Sequence, residues 1–320
     1  MISLQQKAFT AFDQLLPSPT CTLIVAVSGG ADSLALTFLA NEYAATKNVK
    51  LEAVTIDHAL RPESSAEAEE VHSILKAHDI SHHTLVWQHE DNLNRIHEQA
   101  RKARYHLLTE FCKKYENPFL LTAHHAQDQI ETILMRFLKG SGPAGFQGIQ
   151  TTRYKNDVRI IRPLLEIFPQ DLRTYLQNKK IKWIEDPSNQ DDSYERTRVR
   201  QLVQHIKNLG WQEEGILTSA TKIYSLYQAL ENLVNEHAKN FIISINPLAI
   251  NQPIFFECPN HIQQEWLRQT IWAIGKATYP KPYETIDAIL KILKQPKVDG
   301  YNVAGCTINV AKKAIYFLNS

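Results

Sequence analysis

Thr22-Leu23-Ile24-Val25-Ala26-Val27-Ser28-Gly29-Gly30-Ala31-Asp32-Ser33 is the stretch on which the fold turns. Its first six residues are an unbroken apolar run with β-branched members, as a strand buried on both faces of a sheet requires. The next six bring glycines and hydroxyls, and residues 33–45 then read as a helix. A buried strand, a glycine turn and a helix make the opening unit of an α/β domain. The pattern recurs downstream, with strands expected at 51–56, 83–87 and 119–123 and helices at 65–78, about 93–115 and 127–139. Such alternation predicts a doubly wound parallel sheet with helices on both faces. Ligands of these sheets bind at the carboxyl ends of the strands, near the point where strand order reverses.

Beyond the glycine-rich segment 141–145, a short helix is expected near 170–179, followed by an irregular charged loop around 186–192. From about 216–238 the apolar spacing is helical, further helices are expected near 263–276 and 285–293, and alternation over 302–318 predicts short strands. The division implied is a nucleotide-binding domain over 1–210 and a smaller α+β domain over 211–320, entered through a linker helix.

In Ser28-Gly29-Gly30-Ala31-Asp32-Ser33 the backbone N–H groups of a starting helix lie exposed beside two glycines, and the helix dipole adds positive potential. Phosphate is the expected ligand. The segment lacks the lysine of G-x-x-x-x-G-K-[ST] and the spacing of G-x-G-x-x-G. A tight turn alone would account for the glycines but not for two hydroxyls and the Asp32 carboxylate.

Three further segments carry chemistry-bearing side chains to the same sheet edge. Asp57-His58-Ala59-Leu60-Arg61-Pro62 follows the second strand, and within Gln99-Ala100-Arg101-Lys102-Ala103-Arg104-Tyr105 the arginines 101 and 104 share a helix face. His124-His125-Ala126-Gln127-Asp128-Gln129-Ile130-Glu131-Thr132 follows the fourth strand, and the spacing i, i+4, i+7 predicts one stripe of His124, Asp128 and Glu131. That stripe suits a metal-assisted site or amine recognition. Zinc is disfavoured, because the second histidine falls on another face. Later come Arg162-Pro163-Leu164, Glu185-Asp186-Pro187-Ser188-Asn189 and Arg196-Thr197-Arg198-Val199-Arg200, whose alternate arginines can reach a phosphate backbone, although a solvated loop is the default reading of such a run.

S-G-G-x-D-S after an apolar strand resembles the signature of the PP-loop ATP pyrophosphatases. The later segments, in consistent order over about 22–205, are similar to those of the tRNA(Ile)-lysidine synthetases. The resemblance implies ATP and Mg2+ as cofactors, free L-lysine and an isoleucine tRNA with a CAU anticodon as substrates, and adenylation of a cytidine before the lysine amine attacks. It implies catalytic roles for Asp32, Arg104, Asp128 and Glu131, nucleotide contacts from Ser28 to Ser33 together with His58 and His124, metal contacts from Asp32 and Asp128, and tRNA contacts from Arg196, Arg198 and Arg200. The sequence departs from the family pattern at Gln127, where aspartate is usual, and at Thr197, where asparagine is. A weaker hold on lysine, not lost chemistry, is expected from Gln127. Longer members carry another domain after the one that ends here, and this chain is expected to stop before it.

Composition bounds the reading. The 320 residues are 43% hydrophobic and 22% charged with a net charge of +1, so RNA contact must come from local basic surface. No signal peptide or apolar run of 18 residues occurs, which points to a cytoplasmic protein without membrane association; the oligomeric state is left open by the sequence, a homodimer among the options. Cys21, Cys112, Cys258 and Cys306 form no C-x-x-C pair, which disfavours the closest rival, a PP-loop tRNA thiolase with paired cysteines or a cluster. Another adenylating tRNA-modifying enzyme is a further alternative, and an amide-forming PP-loop ligase of small-molecule metabolism would leave the three later motifs unexplained. A binding module on an inactive nucleotide fold is opposed by the intact phosphate loop.

Overall fold

The computed structural model describes residues 3–16, 21–61, 63–89, 96–185, 195–276 and 280–319; Pro62, Arg95 and the charged loop 186–192 lie outside the described residues. The chain divides into two compact units, one of residues 1–139 and 147–218, the other of 140–146 and 219–320. The short glycine-rich segment thus belongs to the second unit, although it interrupts the first in sequence.

The first unit begins with helix α1 (Leu4–Leu15), which sequence reading did not anticipate. Then follow β1 (Thr22–Val27), α2 (Ala31–Lys47), β2 (Lys50–Asp57), α3 (Ser64–Lys76), β3 (His82–Val86), α4 (Ile96–Cys112), β4 (Pro118–Leu121) and α5 (Ala126–Leu138). A hairpin of β5 (Thr152–Lys155) and β6 (Val158–Ile161) precedes α6 (Pro169–Asn178) and α7 (Glu195–Asn208). The sheet order is β3-β2-β1-β4-β6-β5, parallel except for β5. All six residues of β1 are buried, because β2 and β4 pair on either side of it and helices cover both faces. Leu23, Val25 and Val27 enter one core with α2 and α6, while Ile24 and Ala26 enter another with Leu108 and Phe111 of α4. That alternation makes the fold doubly wound, as expected. Strand order reverses between β1 and β4, so their carboxyl ends flank the ligand crevice.

The second unit holds most of α8 (Glu214–Phe241), then β7 (Ile242–Ile245), β8 (Leu248–Asn251), α9 (Gln252–Glu257), α10 (Asn260–Gly275), α11 (Tyr283–Leu293), β9 (Val298–Val303), β10 (Cys306–Ala311) and β11 (Ala314–Asn319). Its antiparallel sheet runs β7-β8-β11-β10-β9. Cys306, Ile308 and Val310 alternate into the core with Ile315 and Phe317, where Trp266, Ile286 and Leu290 pack on them. Within it, Arg268 and Glu265 form a buried pair at 2.9 Å, completed by hydroxyls of Tyr227 and Tyr283 donating to Glu265. Among the described residues no helix is long and apolar enough to cross a membrane.

Candidate nucleotide and catalytic site

The loop after β1 is built to leave its donors open. Ser33 Oγ accepts from Ser28 N at 3.1 Å and donates to the Gly30 carbonyl at 2.9 Å, so this hydroxyl is committed to the loop itself. The N-cap of α2 is Gly30, and no side chain caps the helix, so its first-turn N–H groups have no acceptor of the usual kind. Two glycines serve different ends here. Gly29 has φ +87°, and a Cβ on it would meet Ile184 Cδ1 and Val71 Cγ2 at 2.9 Å. At Gly30 φ is an ordinary −69°, and a Cβ would come no closer to any protein atom than 3.8 Å, to Ser28 Oγ. Packing therefore explains Gly29 but not Gly30, whose lack of a side chain gives a ligand close access to the backbone. Asp32 stands on the first turn with Oδ1 buried and without a hydrogen-bond partner, a position that invites a cation or a bound donor.

Across the crevice, Thr122 follows the end of β4, and His125 caps α5. Asp128 N donates to His125 Nδ1 at 3.3 Å, and His125 N donates to Asp128 Oδ2 at 2.9 Å, a reciprocal capping box. With Nδ1 accepting, the neutral ring carries its proton on Nε2, which lies 3.4 Å from Asp32 Oδ2. Burial works against charging this ring but is outweighed by the hydrogen bond to Asp32 and by the charges of Asp128, Asp32 and Glu131, so its pKa is raised. The two strand ends are thus joined by a His125–Asp32 contact that sequence reading missed. The signal was present in the paired histidines, but His124 drew the assignment.

His124 lies before α5, not on it, so the expected helical stripe of His124, Asp128 and Glu131 does not form as such. Its Nδ1 sits 3.1 Å from Thr122 Oγ1, and burial, opposed by Asp128 and aided by Arg162, Arg104 and Arg196, lowers its pKa to about 4. His58 at the end of β2 is similarly kept neutral by burial and by Arg104, and its buried Nδ1 has no partner. Arg104 of α4 therefore acts on both histidines. Arg162, left out of the expected site, is buried, donates to the Gln150 carbonyl at 2.7 Å and brings a second guanidinium to bear on His124.

The arginines of 196–200 require a correction. Residues 195–200 open helix α7, so alternate positions do not share a face. Arg196 and Arg200, four apart, turn to α5: Arg196 Nε meets Glu131 Oε2 and Arg196 Nη2 meets Asp128 Oδ1, each at 2.5 Å, and Arg200 Nε meets Glu131 Oε1 at 2.8 Å. Arg198 is on the exposed face. Glu131 is fully buried and also accepts from Gln127 Nε2 at 3.3 Å. Both oxygens of Asp128 are engaged, which leaves Asp32 as the better metal candidate of the two. Among the described residues no three His, Cys, Asp or Glu side chains gather as a metal cluster.

Residues 4–206 match the family model of the PP-loop domain. The tRNA(Ile)-lysidine synthase of Orientia tsutsugamushi (strain Boryong) is 36% identical over 278 residues, covering 84% of this chain and 63% of the relative. That of Wolbachia pipientis wMel is 34% identical over 290 residues, covering 89% and 67%. The chain belongs to the tRNA(Ile)-lysidine synthase family. It spans 63–67% of the length of these curated relatives. The U34-tRNA thiolase NcsA from Methanococcus maripaludis, solved with its [4Fe-4S] cluster, superposes with a TM-score of 0.56 at 17% identity, over 69% of this chain and 77% of that one. The likeness is one of fold. At Gln127, where the sequence departs from the family pattern, the side-chain amide donates to Glu131 Oε1 at 3.3 Å.

Proposed function

We propose that this chain uses ATP to adenylate the C2 oxygen of the wobble cytidine, position 34, in the CAU anticodon of an isoleucine tRNA. The side-chain amine of free L-lysine then attacks C2, and AMP leaves. Adenylate is a far better leaving group than oxide, which is why the carbonyl oxygen must be activated first. The observation that carries this reading is the uncapped first turn of α2 behind Gly30, open at the strand-order switch point, in a chain of this family.

The residues divide the work by position. N–H groups of Gly30, Ala31 and Asp32 would hold phosphate oxygens, and Arg104 and Arg162, partly stripped of water, favour the negative charge that develops around phosphorus. Neutral His58 and His124 add hydrogen-bonding groups without adding repulsion to those guanidinium groups. Asp32, through its unpartnered Oδ1, fits a magnesium ion, which would neutralise charge on the departing pyrophosphate when bound. Glu131 and Asp128 hold Arg196 and Arg200, and a lysine ammonium reaches these carboxylates only by displacing a guanidinium. RNA contact falls to exposed basic groups, Arg198 among them, and to the second unit.

The thiolase alternative fits less well, since burial pushes the Cys112 thiol up to about 12 and the Cys306 thiol to about 11, far from a ready thiolate. Incubation with α-labelled ATP, lysine and transcribed tRNA tests the proposal. AMP release should require both lysine and the CAU-anticodon tRNA, and release indifferent to either would refute it.

A further inference from the structure

Helix α5 begins on an unusual cap. Its N-cap is His125, whose Nδ1 accepts from Asp128 N at 3.3 Å, while Asp128 Oδ2 accepts from His125 N at 2.9 Å. Serine, threonine, asparagine and aspartate make the same bond with a shorter side chain and are the residues that helices ordinarily use there. Histidine brings a second ring nitrogen that capping does not need. The residue is only 9% exposed, so the far edge of the ring is spent inside the protein and not on water.

That edge meets Asp32. With Nδ1 accepting, the ring hydrogen lies on Nε2, 3.4 Å from Asp32 Oδ2. Among the described residues, His125 is the one polar partner of the Asp32 side chain, whose Oδ1 is buried and has none. Ser33, the neighbouring hydroxyl on the same turn of α2, is occupied within the loop by Ser28 N and the Gly30 carbonyl. A carboxylate held at one oxygen and open at the other is a cation ligand in waiting, because the partner behind it fixes its orientation and leaves the second oxygen free. The aim of Asp32 is therefore set from across the crevice, by a residue 93 positions away that is itself pinned to the start of α5.

We propose that His125 is a positioning residue: its Nε2–H orients Asp32 so that Oδ1 is left for a magnesium ion, and its Nδ1 ties that carboxylate to the start of α5. This role deepens the lysidine-forming reading and rests on it for ATP and magnesium. It also accounts for a cap that is larger than capping requires.

Two substitutions separate the two ends of the ring. Asparagine keeps an acceptor near the place of Nδ1 and caps well, but it is too short to reach Asp32. Glutamine carries an amide donor toward the place of Nε2 and is not among the residues that cap well. His125→Asn should keep the wild-type Tm. Its Kd for an ATP analogue with an α,β-methylene bridge, measured by calorimetry, should rise about tenfold in magnesium and stay unchanged in excess EDTA. Its AMP formation should recover as magnesium is raised. His125→Gln should lose about 2–4 °C of Tm yet bind the analogue in magnesium within about threefold of the wild type.

A role in folding alone would make affinity follow Tm in both variants. A His125→Asn protein that binds the analogue in magnesium as tightly as the wild type overturns the proposal, and so does wild-type binding indifferent to magnesium. The binding measurements need neither lysine nor tRNA. If lysine- and tRNA-dependent AMP release is absent from the wild type while the two variants divide as stated, the catalytic reading falls and the positioning role stands.

Discussion

Asp32 concentrates the argument at the level of single residues. Its Oδ1 is buried without a partner, its Oδ2 faces the capping histidine of α5, and it stands on the helix turn that would meet phosphate. Asp32→Asn keeps size and shape but removes the charge. AMP formation should fall by at least about a hundredfold with circular dichroism unchanged, since a group used in the transition state is lost without a cavity. Glu131 differs, because it is fully buried between two guanidinium groups. Glu131→Gln should cost about 1–3 kcal/mol in urea unfolding, short of the largest buried-pair penalties because both arginines are partly exposed. It should also lower turnover through Arg196. Asp32 was legible in sequence because a carboxylate in a glycine turn has few structural uses. The His125–Asp32 contact was not legible, since it joins residues 93 apart across a strand reversal that no local pattern records. Histidine also sets an acid limit. Burial, with His72 and His83 nearby, lowers the His82 pKa to about 4, and His124 behaves alike. Stability is therefore full above the ordinary histidine pKa of about 6.5 and declines as pH falls from there toward 4, where the folded protein must accept protons it resists. His82→Gln should make thermal unfolding less sensitive to pH across that window.

Among the elements, α7 shows how a pattern is misread when its secondary structure is unknown. Arginines at alternate positions share a face on an extended chain but fall about 160° apart on a helix. Arg196 and Arg200 accordingly bind α5, and Arg198 is exposed. Arg198→Ala should weaken tRNA binding modestly and leave AMP formation at saturating tRNA intact, whereas Arg196→Ala should lower turnover itself. A split of KM against kcat in steady-state kinetics checks both; equal effects of the two variants on KM alone would contradict the assignment. The β5–β6 hairpin was also overlooked, though Asn156–Asp157 between alternating residues is a fair signal. The parallel strands were easier, because a strand buried on both faces leaves a continuous apolar run such as 22–27.

For the whole molecule, the sequence pattern reached the order of the parallel units and the alternation of the last strands, since both are set by periodicity. It did not reach the assignment of 140–146 to the second compact unit, which depends on packing such as that of Gly142, where a Cβ would sit 3.1 Å from Tyr283 Cε2. The central claim concerns the complete reaction, so the most direct measurement uses the intact chain with α-labelled ATP, free lysine and tRNA differing only in the wobble base. AMP and lysine-modified tRNA should appear in equal amounts with the CAU anticodon and disappear when lysine or the wobble cytidine is removed. AMP formation that persists without the wobble cytidine, or proceeds with no lysine entering the tRNA, would contradict the account.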